Sequence, residues 1–520
     1  MNRPSRYCVA ASLLAALAAC GTVSSPGGDD DGDDNQPPVA TPAELSTWTS
    51  TPIVGRLAGE DPDGEPLTFT VAGEPTGGTL LLDEDGSFVY TPAPGTSGAD
   101  AFSFVVDDSR DTSEEAIVDI SIATLTDGTP DETFGEGGAT ISDFGESDAF
   151  SGVVVHGDGR IAAVGSSASD LAVVAGYSNR GGSLNSWGEG GSGSTMLNLG
   201  GYDGFGDVVQ EPGGRLVSVG QTQGETGRDF MLLGLTDDNG LLDSSFGEGG
   251  VTVTDVAPGR ADVANALTLL PDGRLLVAGY ANNGTDDDFA VARYSQGGVL
   301  DDTFGTGGFA IVDFGGTDRV NDVALDGAGN ILLVGEAVGE MGIARLTPEG
   351  DPDSGFGAGG KVRLDRGGMA EAIGVAVGSD GSIIVGGNSE EAGGVWTMAA
   401  VRLTPTGELD AGFGEDGWAL ATPASADTYA MGMLLLPNQT LLLVGGWTSG
   451  DVTEAAAARL VLSTGQLDPG FGDAGFFHQA FGEDGNDILF AAALQPDGKV
   501  VAVGWSRNAN LDALLVRLGW

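Results

Sequence analysis

"LLDSSFGEGGVTV" occupies residues 241–253, and "VLDDTFGTGGFAI" occupies 299–311. The two are one phrase: an aspartate, a lone aromatic, a cluster of glycines, then a short apolar alternation. It recurs as DETFGEGG (131–138), LNSWGEGG (184–191), LDSSFGEGG (242–250) and LDDTFGTGG (300–308). Three later copies read PDSGFGAGG (352–360), LDAGFGEDG (409–417) and LDPGFGDAG (467–475). The aromatic residues are Phe134, Trp187, Phe246, Phe304, Phe356, Phe413 and Phe471, spaced by 53, 59, 58, 52, 57 and 58 residues. A period of this size marks a repeat architecture.

Each copy has the same interior. A short strand such as VTVTDV (251–256) follows the phrase, then a hairpin, ANALTLLPDGRLLVAGYA (264–281), then a further strand, FAVARYS (289–295). The hairpin turn is Asp272-Gly273, where glycine accepts the positive φ of a two-residue connection. Its equivalents are Asp158-Gly159, Gly213-Gly214, Ala328-Gly329, Asp380-Gly381 and Asp497-Gly498, with Asn438-Gln439 the copy that lacks glycine. Four short strands per copy describe one propeller blade.

These copies resemble the delta-60 repeat of bacterial secreted proteins, whose phrase reads like LDxxFGxGG…PDGKIxVxG…ARY. The last five fit best. The first two drift, with Trp187 for phenylalanine, and VAGYS and LGLTD where ARY is expected. The resemblance implies no activity. The expected fold is all-β: an N-terminal β-sandwich, then a seven-bladed β-propeller of about 57-residue repeats over 131–520. The phrase glycines turn the chain between blades, and the aromatic fills the wedge between neighbouring sheets. Each blade borrows its outer strand from the chain after the next phrase. The seventh has no such chain, so ATISDF (139–144) is expected to pair with 512–518 and close the ring.

Composition narrows the function. Among 520 residues there are 90 Gly, and 21 Lys and Arg face 76 Asp and Glu, for a net charge of −55. Such a surface repels nucleic acid and anionic lipid. The two cysteines, Cys8 and Cys20, precede any folded region, and His156 and His478 are the only histidines. Thiolate and histidine-rich metal sites are thereby excluded.

The N-terminus reads as an address. Arg3 and Arg6 precede an apolar run from Val9 to Ala19, too short to span a bilayer but suited to a secretory signal over 1–19. The run ends in Leu17-Ala18-Ala19-Cys20, which resembles the lipobox of bacterial lipoproteins. That resemblance implies cleavage before Cys20, acylation of its sulfur, and a durable membrane anchor. Gly21 resembles the outer-membrane class. The expected location is the outer membrane or cell surface, with the periplasmic face as the alternative. Residues 20–37, rich in Gly, Ser and Asp, read as an acidic tether.

Residues 38–124 alternate in LTFTV (67–71), SFVYTP (87–92), AFSFVV (101–106) and IVDISI (117–122), with turns at Asp61-Pro62-Asp63-Gly64, Asp85-Gly86 and Pro94-Gly95. Such strands argue for a β-sandwich. The order DPDGEPLTFTV (61–71), then GTLLLDEDGSFVYTPAPGTSGADAFSFVVDD (78–108), resembles the cadherin-like, immunoglobulin-type repeats of bacterial surface proteins. That group implies an adhesive or spacer role, and some members bind calcium between repeats. Glu60, Asp61, Asp63, Asp107 and Asp108 are the candidate calcium ligands, or else turn formers. Residues 125–130 read as a linker.

Within the propeller, Arg293, Arg345, Arg402, Arg459 and Arg517 share one repeat position. They form either an anion-binding ring or, the expectation here, a repeated ion pair between blades with the phrase aspartates Asp301, Asp410 and Asp468. His156 and His478 read as surface residues with no nucleophile elbow beside them. Lys361 after FGAGG lacks the GK[ST] of a phosphate loop. No catalytic residue and no resident cofactor is expected. The function expected is a non-enzymatic, monomeric surface lipoprotein whose propeller loops bind protein or polysaccharide. The alternative is a propeller lyase or glycosidase with its site at the central channel.

Overall fold

Alternating β-branched and aromatic residues between glycine turns give strands almost throughout. The computed structural model describes residues 35–48, 52–93, 96–123, 127–145, 147–167, 171–198, 204–223, 227–391, 393–423 and 426–519. Cys8, Cys20, the signal segment and nearly all of the tether lie outside them. The described residues fall into two units, one ending at Ser121 and one running from Ile122 onward.

The first unit contains an antiparallel sheet of Ala43–Trp48, Ala116–Ala123, Gly98–Asp107 and Thr68–Gly73, and a second of Ile53–Arg56, Ser87–Pro92 and Gly78–Leu82. Phe88, Tyr90, Phe102, Phe104, Val118 and Ile120 are buried in its core. The Tyr90 hydroxyl, carried inward with its ring, donates to Asp100 Oδ2 at 2.6 Å. Asp100 also accepts from the Thr76 and Gly77 amides, so a buried carboxylate pins a loop to the core.

Among the described residues, the second unit holds seven sheets. The third shows the pattern: Asp262–Leu269 innermost, then Leu275–Asn282, Asp287–Tyr294 and, outermost, Phe309–Val312. The phrase 300–308 therefore connects the third and fourth strands of one sheet. Gly273, at φ +85°, makes the hairpin turn, and the copy without glycine places Gln439 at φ +62° instead. Each innermost strand packs on the next, and Asp487–Leu494 of the seventh sheet packs back on Asp148–Val155 of the first. All seven innermost strands carry a bulge at one repeat position, from Phe150/Gly152 to Leu489/Ala491.

The seventh sheet draws its outer strand from the start of the unit. Ala139–Ser142 pairs antiparallel with Leu511–Leu518, with Ala139 opposite Val516 and Ser142 opposite Ala513. Around this seam the Asp131 amide donates to the Arg517 carbonyl, and the Gly128 amide to that of Gly519. Asp131 Oδ2 lies 2.7 Å from Arg517 and 3.1 Å from Lys499, with all three side chains buried.

Closure should therefore be sensitive to this carboxylate. Replacing Asp131 with Ala removes the fully buried carboxylate that Arg517 and Lys499 share and should cost about 3–5 kcal/mol. Asp410→Ala, at an equivalent but 37% exposed phrase position, should cost under about 1 kcal/mol. Denaturant unfolding of the two variants measures the difference.

Candidate functional site

The phrase aromatics are all buried. Each lies between two sheets: Phe356 packs with Leu332 and Met341 of the fourth sheet and with Ile383 and Val401 of the fifth. The repeated arginine sits above it. The guanidinium carbon of Arg293 is 4.7 Å from the Phe304 ring centre, and Arg345, Arg402, Arg459 and Arg517 sit 4.7–5.1 Å from Phe356, Phe413, Phe471 and Phe134. Arg293 pairs with Asp301 at 2.8 Å, Arg402 with Asp410 at 2.8 Å and Arg459 with Asp468 at 3.0 Å. These pairs lie within one sheet and its phrase, which corrects the expected pairing between blades. The link to the next sheet is a carbonyl bond: Arg293 donates to Pro348 O at 2.9 Å, and Arg402 to Leu462 O at 2.6 Å. In Arg293, Arg345 and Arg402 the phrase carboxylate and a carbonyl of the following turn both engage the guanidinium, as in a structural clamp, whereas Arg459 Nη1 and Arg517 Nε are buried without a hydrogen-bond partner.

The first two copies have glycine at the arginine position, Gly176 and Gly234. Here the sequence reading missed a substitution. Arg215, just after the hairpin turn, pairs with Asp243 at 3.2 Å, lies 5.4 Å from the Phe246 ring centre and donates to Gln296 O at 2.9 Å. Arg160, at the same position in the first copy, reaches the Asp237 carboxylate at 3.4 Å. The signal was present in the sequence as an arginine after the turn in the copies that lack one in the strand.

Of the two histidines, His478 is exposed, as expected, and His156 is not. His156 is buried, contrary to expectation, with Nδ1 2.6 Å from Asp237 Oδ1 and its ring edge-on to Trp187. Burial lowers its pKa. His478 stacks on Trp447 at 4.4 Å and pairs with Glu454.

At the innermost bulges stand Asp207 and Asp322. Asp207 accepts from the Val208 amide and, on the next sheet, from Leu267 N at 3.2 Å. Asp322 likewise accepts from Val323 N and from Val375 N at 2.8 Å. Burial pushes Asp207 up to about 6, and burial plus the Asp207 charge pushes Asp322 up to about 7. Both carboxylates are clips between sheets, with their oxygens already engaged by amides.

In the first unit, the carboxylates that converge are Asp61, Asp63 and Glu65. Glu60, Asp107 and Asp108 are not in that group. Asp61 Oδ1 accepts three amides, of Asp63, Gly64 and Glu65. Asp107 accepts from Ser109 N and Thr112 Oγ1, and Asp108 from Arg110 N and Asp111 N. These bonds are those of turn formers.

The concave features that recur lie on the rim, between the outer strand of one sheet and the turn of the next. One groove of about 740 Å³ runs between Val251–Asp255 and Gly298–Leu300, floored by Phe309. An equivalent of about 490 Å³ lies between Ser194–Leu197 and Leu241–Leu242, and a third of about 290 Å³ lies beside Trp418–Leu420. The third residue of the outer strand is an exposed aliphatic on four consecutive sheets: Ile141, Met196, Val253 and Ile311.

Comparison with known proteins accords with this architecture. Residues 35–121 match the family model of a bacterial Ig domain. Residues 270–304, 329–356, 378–413 and 495–519 match that of a domain of unknown function (DUF5122) β-propeller. The chain carries a bacterial Ig domain followed by a β-propeller region of that family. No curated protein matches it. Among solved structures, Sqt1 from Chaetomium thermophilum is 13% identical, with a TM-score of 0.40 over 72% of this chain and 97% of that one. A structural genomics protein of unknown function from Bacteroides thetaiotaomicron is 10% identical, with a TM-score of 0.34 over 94% and 99%. An ulvan lyase of polysaccharide lyase family PL25 is 9% identical, with a TM-score of 0.36 over 76% and 95%. Similarities this distant carry no functional argument.

Two outcomes follow from the clamps and clips. Arg215→Ala strands the buried Glu211 carboxylate, 2.8 Å away, and should cost about 3 kcal/mol. Arg274→Ala, whose sheet keeps Arg293, should cost under about 1 kcal/mol. The second concerns pH. A carboxyl group raised in the folded state stabilises the fold below its unfolded pKa, and that stability is lost as pH climbs through the folded value. From about pH 4 to pH 7 the melting temperature should therefore fall, and D207N/D322N should flatten the slope. Asp301, held at about 2 chiefly by the Thr303 hydroxyl, titrates below this window.

Proposed function

We propose that the protein is a non-enzymatic, lipid-anchored binding module of the outer membrane or cell surface, whose propeller rim recognises a polypeptide. The observation that carries this reading is the recurrence of rim grooves beside Met196 and Val253, on outer strands whose far edge has no neighbour in its sheet, with Ile311 exposed at the same position of the next outer strand. Aliphatic side chains beside open backbone groups suit an extended peptide. A polysaccharide site would favour aromatic platforms, and the two larger grooves offer Phe309 alone. Anchoring rests on the lipobox-like Leu17-Ala18-Ala19-Cys20.

A lyase or glycosidase at the axis would need an acid and a base, or a nucleophile, free to reach substrate. Asp207 and Asp322 are instead held by backbone amides, and clamp arginines such as Arg293 and Arg402 are engaged by phrase carboxylates and turn carbonyls.

The test uses full-length protein against immobilised envelope proteins and a panel of cell-wall and algal polysaccharides. Saturable binding to a protein, lost in M196D/V253D/I311D without a change in melting temperature, is the expected result. Release of oligosaccharide from any polymer would replace this reading with the enzymatic one. Cys20→Ser should move the protein from the detergent phase to the aqueous phase.

A further inference from the structure

Three sheet junctions bring together aspartates from one repeat-related set of positions. At the junction of the third and fourth sheets these are Asp288, at the start of a third strand, Asp313, just after the outer strand, and Asp318, opening the next innermost strand. One carboxylate oxygen of each lies within 4.8 Å of the other two. Two oxygens at about 2.4 Å from a shared calcium ion can be at most about 4.8 Å apart.

A second observation points to a ligand. Asp318 is 0% exposed and Asp288 4% exposed, and each has a buried Oδ1 with no hydrogen-bond partner. Their Oδ2 atoms are engaged, Asp318 by the Phe314 amide at 2.7 Å and Asp288 by Asn283 Nδ2 at 2.9 Å, which leaves Oδ1 for the cluster. Asp313 is exposed and gives the cluster an open side. The nearby cations are committed elsewhere. Arg319 pairs with Asp287 at 2.6 Å, and Lys361 donates to the Asp313 carbonyl at 2.8 Å, not to its carboxylate.

The equivalent positions elsewhere sharpen the argument. Asp143, Asp148 and Asp512 form the same trio at the closing seam, where Asp148 Oδ1 is again buried without a partner. Asp229, Asp255 and Asp262 form a third. At the junction of the fifth and sixth sheets the three positions are Thr397, Thr422 and Thr428. There the Thr397 hydroxyl bonds to the Ala421 carbonyl and Thr422, and the Thr428 hydroxyl also reaches Ala421 O. Neutral hydroxyls close that junction unaided. Three carboxylates cannot, because burial and mutual repulsion oppose their charge.

We propose that Asp288, Asp313 and Asp318 bind a calcium ion at the junction of the third and fourth sheets, and that the Asp143, Asp148 and Asp512 trio, which has the same orphaned buried oxygen, binds another. An all-carboxylate set without histidine or cysteine selects a hard cation. The irregular, partly open arrangement suits the six to eight oxygens of calcium better than the strict octahedron of magnesium.

The test is calorimetric titration of the full chain with calcium chloride after chelator treatment, alongside thermal unfolding. D288T/D313T/D318T installs the threonine set that the neighbouring junction already uses. It should bind one ion fewer than the parent, show a smaller calcium-dependent rise in melting temperature, and be no less stable than the parent in chelator. An Asp313→Asn variant, altered at the exposed ligand alone, should weaken one site by on the order of tenfold, and it carries the test should the triple variant not fold. Unchanged isotherms in the variants, or an equal rise with magnesium chloride, would overturn the proposal.

Discussion

The ring depends on one buried contact repeated around it: a phrase aromatic held beneath an arginine and against the turn of the following sheet. The turn must come very close. A side chain on Gly298, at φ +77°, would meet the Phe246 ring at 2.5 Å, and one on Gly350, at φ +94°, would meet Phe304 at 2.9 Å. Glycine is therefore required there twice over, for conformation and for space. The aromatic fills the wedge that opens as flat-sided sheets fan outward. The arginine covers it, neutralises the phrase aspartate and ties the next turn by its carbonyl. Where the strand arginine is lost, the aromatic moves into the vacated volume: a side chain at Gly176 would strike Trp187 at 2.3 Å.

This arrangement explains how so acidic a chain keeps its interior in order. Cations are few, and eight of those described, Arg215, Arg274, Arg293, Arg345, Arg402, Arg459, Lys499 and Arg517, compensate phrase aspartates. Little positive charge is left for the sheet junctions, where aspartates crowd one another instead. Burial and the neighbouring Asp255 and Asp229 charges push Asp262 up to about 7, and burial and the Asp288 charge push Asp318 up to about 6. The fifth and sixth sheets avoid the conflict with threonine. The protein thus contains two solutions to one packing problem, a neutral one and a charged one.

The architecture was legible because it repeats. A lone Phe or Trp every 52–59 residues and a DG turn at constant phase define sheets without reference to any one contact. The closing strand was legible from counting, since 139–144 belonged to no complete sheet. The site was less so. The trio Asp288, Asp313 and Asp318 spans two repeats, and its members read singly as strand-end and turn residues. The burial of His156 depends on Asp237 and Trp187, which strand alternation cannot reveal. The rim grooves arise from how deeply one turn sits beside the preceding outer strand, and that depth is set by packing, not by pattern.

The seam has a consequence for how the protein is made. Thr133 and Arg517, joined at 2.9 Å, stand 384 residues apart in sequence. The outer strand of the last sheet is the first of the ring to leave the ribosome, and it finds its partner after every other strand has been synthesised. Chain entropy makes that long wait inexpensive to end, because closure cost grows only with the logarithm of loop length. Until then Ala139–Ser142 is a short strand with exposed backbone groups, and the growing chain is an open arc with two raw edges. Loss of the final eight-residue strand, Leu511–Leu518, would remove one strand and also unseat another at the opposite end of the chain.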